Sequence, residues 1–239
     1  ILSYAIPNFA GIHPQVKRKT VILNRINEMI DLDGGVDGEV LTLTAIGTDL
    51  YVGGAFVKNI EGPTINLIKW NGTVWSGFGN PNGPVLASTA IGTDLYVGGA
   101  FTNIGGGGAP ENSIAKWNGV SWTTLGSGMD GPVLALTAIG TDLYAGGTFT
   151  NIGDVVVNGI AKWNGITWSP LSGGVSRSVF ALTAIGTDLY VGGDFSMADG
   201  VDVNKIAKWD GASWTALGNG LDNRVQALTA IGTDLYVGG

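Results

Sequence analysis

The chain has 239 residues, of which 41 are Gly, none is Cys and only 13% are charged, and its formal charge is −7. That length can bury a full core, and 44% hydrophobic content with a mean hydropathy of +0.27 argues against intrinsic disorder. The Gly residues follow no G-X-Y period, so collagen is excluded. The lack of Cys removes disulfides and thiolate chemistry, and the acidic balance gives no electrostatic reason to bind nucleic acid.

The first segment, residues 1–19, is a non-repetitive arm. It starts at Ile1 rather than Met, as a processed or excised piece would, and residues 1–10 lack the basic stretch of a signal peptide. Lys17, Arg18 and Lys19 form its one basic run, too short to predict a nucleic-acid or membrane surface. No stretch of 18 apolar residues occurs anywhere, so no membrane insertion is expected.

Beyond the arm the chain is a tandem repeat. The string T-A-I-G-T-D-L-Y begins at Thr44, Thr89, Thr137, Thr183 and Thr229, and each copy runs into a Gly-Gly pair, from Gly53 and Gly54 to Gly238 and Gly239. A second block close to I-A-K-W-N-G places Trp70, Trp117, Trp163 and Trp209, and five residues after each stands Trp75, Trp122, Trp168 or Trp214. In the third unit, strand a is predicted over 133–139, a nearly continuous apolar run suited to burial on both faces. Gly140, Thr141 and Asp142 turn it into strand b over 143–149. Strand c is predicted over 160–163, and Asn164-Gly165 makes the hairpin into strand d near Thr167. Antiparallel units of four strands at this spacing predict propeller blades.

The ends set the blade count. The fifth unit stops at Gly239 after strands a and b, whereas residues 20–38 align with strands c and d: Val21 falls on Ile114, Leu32 on Leu125 and Asp37 on Asp130. The expectation is therefore an all-β, five-bladed β-propeller forming a single domain. Four full blades occupy 39–223, and a closing blade is built from 20–38 and 224–239. Pairing the two termini removes the edges that an open ring would expose. Asn24, Ile26 and Met29 replace the consensus Trp, Gly and Trp there, a departure that would favour unique pairing over register slips.

The order of apolar strand, L-Y-V-G-G strand, K-W-N-G strand and W-x-x-L strand resembles kelch-type and galactose-oxidase-like propeller repeats. In having five near-identical blades the chain is similar to the five-bladed lectin propellers of the tachylectin-2 type. That resemblance implies a binding module, with a carbohydrate-binding lectin as the alternative, and favours a secreted, cell-surface or virion-associated location. It does not carry copper chemistry with it, because this chain has one His, His13, and no Cys.

Candidate sites follow from which connections vary. The a-to-b and c-to-d turns are nearly invariant, whereas the b-to-c loops (102–113, 150–159, 196–205) and the d-to-a loops (127–132, 173–178) differ, and antiparallel geometry sends all of these to one face. A protein or glycan partner is expected there. One aligned d-to-a position carries Asp37, Asn82, Asp130, Ser176 and Asp222. These are either a ring of hard oxygen ligands for sugar hydroxyls or Ca2+, or turn-forming residues. The repeated turn residues Asp49, Asp94, Asp142, Asp188 and Asp234 are either a carboxylate ring or turn fasteners, and Lys69, Lys116, Lys162 and Lys208 read as solvated. The repeated Tyr and Trp read as core wedges, with an outer Trp open to a sugar as the alternative. A glycosidase needs two carboxylates in different environments, and near-identical blades repeat their carboxylates instead. No enzyme activity and no cofactor are therefore expected, and the chain should be a monomer.

Overall fold

A computed structural model describes residues 21–24, 28–31, 36–59, 63–106 and 112–239; the arm, 1–19, lies outside them. Among the described residues there is no helix, and none long and apolar enough to cross a membrane.

Four four-stranded antiparallel sheets follow one another. The first blade is β3 (Asp37–Ile46), β4 (Asp49–Asn59), β5 (Pro63–Trp70) and β6 (Trp75–Gly77). The second is β7 (Val85–Ile91), β8 (Asp94–Gly99), β9 (Ile114–Trp117) and β10 (Trp122–Thr124). The third is β11 (Val133–Ile139), β12 (Asp142–Gly147), β15 (Ile160–Trp163) and β16 (Trp168–Pro170), with a two-residue ribbon of β13 (Asn151–Ile152) and β14 (Val155–Val156) in its b-to-c loop. The fourth is β17 (Val179–Ile185), β18 (Asp188–Gly193), β21 (Ile206–Trp209) and β22 (Trp214–Ala216), with the ribbon β19 (Met197–Ala198) and β20 (Val201–Asp202). The last strands, β23 (Ala227–Ile231) and β24 (Asp234–Gly238), form a two-stranded sheet, as do β1 (Val21–Asn24) and β2 (Glu28–Asp31) near the other end. First strands touch in succession, β3 to β7 to β11 to β17 to β23, so they form the inner wall of the arc.

Packing explains the spacing of the repeat. The core lies between blades: Tyr96, Ile114 and Leu125 of the second blade pack with Val133, Leu143 and Phe149 of the third in one buried cluster. The first strand of each four-stranded sheet carries a β-bulge, the register shifting between Val40 and Thr42, Val85 and Ala87, Val133 and Ala135, or Val179 and Ala181. That bulge aims the leading Val into the preceding blade, against the first Gly of its Gly-Gly pair. A Cβ on Gly53 would stand 2.6 Å from Cγ1 of Val85, and one on Gly98 2.5 Å from Cγ1 of Val133. Gly146 and Gly192 meet Val179 and Val225 in the same way. The second Gly of each pair faces its own first strand, where a side chain would strike a carbonyl such as Pro132 O. Both glycines are thus demanded by close approach, within the sheet and between sheets.

Two details depart from the sequence expectation. Strand b of the third blade ends at Gly147 instead of continuing to Phe149, because Phe149 leaves the ladder to be buried in the interblade core. In the first blade the hairpin is longer than in the others. Asp37 pairs with Val57 inside it, so that residue sits in a strand and not in a loop. Val57 and Lys58 stand where the second blade has Thr102-Asn103, so the turn chemistry that ends the ladder elsewhere is missing. Strands β1 and β2 pair antiparallel with Leu23 opposite Met29, one residue tighter than the Trp117–Trp122 match of the second blade.

Candidate functional site

The two ends of the arc are built differently. At the invariant end, the side chains of Asn71, Asn118, Asn164 and Asp210 accept hydrogen bonds from the backbone N–H groups two and three residues on, at 2.8–3.0 Å, and so fix each c-to-d hairpin. The repeated Asp and Lys residues also meet there as ion pairs: Lys69–Asp49 at 2.5 Å, Lys116–Asp94 at 2.6 Å, Lys162–Asp142 at 3.2 Å and Lys208–Asp188 at 3.0 Å. The lysines are therefore partnered, and hydrogen bonding to the carboxylates raises Lys69, Lys116 and Lys208 above the ordinary lysine range. Spacing alone showed that these residues recur, but not that strand pairing sets Lys beside Tyr and within reach of the turn Asp. Opposite positions in the ladder, Tyr96 with Lys116 for example, carry that information.

Aromatic residues are spent on structure. Tyr51, Tyr96 and Tyr144 are buried, and the Trp residues pair within each blade at centroid distances of 5.1–5.5 Å. The indole N–H of Trp168 donates to Leu125 O at 2.8 Å, and that of Trp214 to Leu171 O at 3.0 Å, so each outer strand is tied to the preceding blade.

At the variable end, the aligned polar residues fasten loop to loop. Asn82 Oδ1 accepts from the N–H of Thr102 (2.9 Å) and Asn103 (3.0 Å). Asp130 accepts from the N–H of Thr150 (2.7 Å) and Asn151 (3.0 Å), and from Thr150 Oγ1 and Asn151 Nδ2 at 2.8 Å each. Ser176 Oγ accepts, at 3.2 Å, from the N–H groups of Ser196 and Met197. Partial burial pushes the Asp130 carboxyl up, but these donors overcome it and bring its pKa to about 2. Asn82, Asp130 and Ser176 thus clasp the d-to-a loop to the b-to-c loop of the same blade. Asp37 lies in the extended β3, and Asp222 is exposed beside the last strand pair.

A second polar residue, Asn, recurs at this end. Asn66, Asn112, Asn158 and Asn204 adopt positive φ, between 38° and 61°. Each donates from Nδ2 to a d-to-a carbonyl: Pro81, Ser127, Gly173 or Asn219. The signal was available as an Asn two residues before the c strand's Ile in units two to four.

Between the third and fourth blades this end opens into a cleft of about 320 Å³, whose lining includes Thr148, Thr150, Asn158, Arg177, Ser178 and Asp194. Lys205 donates to Asp194 at 2.9 Å, while Arg177 Nη1 lies 3.6 Å from the same carboxylate. The Lys205 hydrogen bond lowers the Asp194 pKa. A smaller cleft of about 260 Å³ includes Ser176, Met197 and Asp199.

Known structures recognise this architecture. The chain superposes on the WD40 β-propeller domain of Doa1 with a TM-score of 0.54 and 10% identity, over 85% of this chain and 62% of that one. The fold is that of a β-propeller. The extracellular domain of a hybrid two-component system from B. thetaiotaomicron matches with a TM-score of 0.56 and 11% identity, over 83% of this chain. This propeller spans only 26% of that chain's length. No family profile and no curated protein matches the sequence.

Proposed function

We propose that this propeller is a non-enzymatic, monomeric binding module that presents a protein or glycan surface on its variable-loop end, with a multivalent lectin as the narrower form. The supporting observation is the contrast between the two ends. One repeats its turns and Asp–Lys pairs blade after blade, whereas the other changes loop length and side chains on a frame whose loops are fastened by Asn82, Asp130 and Ser176. A rigid frame with variable loops is the usual arrangement for recognition. The extracellular setting of one structural neighbour and the resemblance to lectin propellers favour a secreted or surface location.

The module is proposed to close with five blades. The Tyr51, Tyr96 and Tyr144 side chains are 5–6% exposed, whereas Tyr236 in the last strand pair is 50% exposed. At Gly238 an added Cβ would touch only Ala227, at 3.9 Å, where the equivalent glycines receive a Val of the next blade. On the other side, the first blade's cluster of Val52, Phe56, Ile68 and Trp75 packs with Val36, which aligns with Met129 of a complete interface. Trp75 Nε1 is buried and finds no acceptor among the described residues, whereas Trp168 and Trp214 use the preceding blade. Leu32, the position aligned with the acceptor Leu125, lies outside the described residues. Val40 entering Gly238, with 20–38 beside β24, answers each of these half-interfaces.

A glycan array probed with the immobilised protein tests the binding function. Saturable binding that is lost on variable-loop substitution, and kept when the exposed turn residues Val120 and Ile166 are changed, supports it. Silence across the array removes the lectin form. Turnover of test glycosides contradicts the non-enzymatic assignment.

A further inference from the structure

The variable end is not equivalent from blade to blade. At the interface of the first and second blades, the positions lining the cleft are Ala55, Gly83, Pro84 and Ala100, and at the next they are Ala100, Gly131, Pro132 and Thr148. At the third they become Thr148, Arg177, Ser178 and Asp194, and Lys205, aligned with Ser113 and Gly159 of the earlier blades, reaches Asp194 from the fourth blade's own b-to-c loop. The same backbone junction is therefore made twice without a charge, and the fold does not need the Arg177, Asp194 and Lys205 group.

The charges of this group do not cancel. Lys205, with 24% of its side chain exposed, engages Asp194 at 2.9 Å. Arg177 has 73% of its side chain exposed and reaches Asp194 only at 3.6 Å. Asp194 is thus answered by Lys205, leaving one guanidinium in excess at the cleft of a chain whose net charge is −7. A guanidinium presents a planar fork of donors matched to a carboxylate. Around it, Thr148 and Ser178 supply hydroxyls, and Asp194 supplies an acceptor for a ligand hydroxyl. The cleft volume, about 320 Å³, lies at the small end of ligand sites and suits one sugar ring.

From this we infer that the cleft between the third and fourth blades binds a carboxylate-bearing monosaccharide unit, such as a uronic acid, with Arg177 pairing its carboxylate. This inference rests on the proposed binding function and names its ligand class.

The test is an NMR titration of the full chain with D-glucuronate, with D-glucose and acetate as separate probes. Saturable shifts are expected for glucuronate, centred on Arg177, Thr148 and Ser178, with glucose and acetate each at least tenfold weaker. Arg177→Gln should weaken glucuronate at least tenfold without changing the melting temperature, because a Gly fills the position at two other interfaces. Glucose binding as well as glucuronate, acetate binding as well as glucuronate, glucuronate binding that ignores Arg177→Gln, or no saturable response to glucuronate would each overturn the inference. The binding function is judged separately, by the array: a positive array with a failed titration removes only this ligand assignment, and a silent array removes the lectin form itself.

Discussion

The interface between the third and fourth blades and the free face of the last strand pair are the same surface, met with and without a neighbour. In the first, Gly146 is filled by Val179, Trp214 Nε1 reaches back to Leu171 O, and Tyr144 is buried among Val179, Leu189 and Phe195. In the second, Gly238 is open, Tyr236 is half exposed and Val237 is 43% exposed. A blade is consequently not a folding unit with its own core; it supplies two half-cores, each completed by a neighbour. This also explains why the first glycine of each pair recurs: its missing side chain leaves room for a Val of the next blade, so it belongs to the interface as much as to the strand.

The largest expected effect strikes that interface directly. Gly146→Ala places a methyl group against Val179 and should cost about 1–3 kcal/mol as overpacking, read as a lower midpoint in chemical denaturation. Gly238→Ala sharpens the comparison, since the last strand pair alone has room for the methyl group. A loss as large as that of Gly146→Ala, partly restored by adding Val40→Ala, is expected of the closed five-bladed ring. An unchanged midpoint would show that nothing enters the Gly238 position.

The next effect in size concerns the indole donors. Trp168→Phe and Trp214→Phe each remove a hydrogen bond to the preceding blade and leave a carbonyl without its donor, costing about 1–3 kcal/mol. Trp75→Phe separates two cases. With residues 20–38 seated beside the first blade it should cost as much as Trp168→Phe. If Trp75 has no acceptor in the folded protein, removing its N–H should be neutral or slightly stabilising.

How legible the fold was in the sequence depends on the scale of the feature. Strands β11 and β15 fall on the predicted 133–139 and 160–163, because an apolar run bounded by Gly-Thr-Asp and Asn-Gly turns carries its own punctuation. The bulge in the first strand of each four-stranded sheet leaves no mark in the sequence, since a bulged Leu134 or Phe180 is indistinguishable from a laddered one by residue type. The aligned positions Asp37, Asn82, Asp130, Ser176 and Asp222 group together in the sequence, but residue type alone does not choose between ligand and fastener. That choice depends on which backbone N–H groups the opposing loop presents. Arg177, Asp194 and Lys205 are hard to single out in the sequence for a related reason. They break the repeat, and they meet because Val179 pairs with Gly193 and Gly192 with Ile206 in the fourth blade's ladder.

The smallest expected effect is a pH dependence at the loop clasp, and it tests whether the frame of the variable end is held as described. Asp130 has an ordinary value of 3.8 and a folded value of about 2. A depressed folded pKa contributes stability that is complete above the unfolded value and is lost as pH falls from 3.8 through about 2. Because Asp130 is largely exposed, solvent screening limits the contribution to roughly 1 kcal/mol or less. Asp130→Asn recreates the arrangement at Asn82, whose amide oxygen accepts from two loop N–H groups. Stability near neutral pH should therefore change by less than about 0.5 kcal/mol. The difference between variant and parent should then shift in favour of the variant on acidification from pH 5 to pH 2, because only the parent loses an ionised acceptor. Parallel melting curves across that range would mean that the four donors around Asp130 do not hold its charged form.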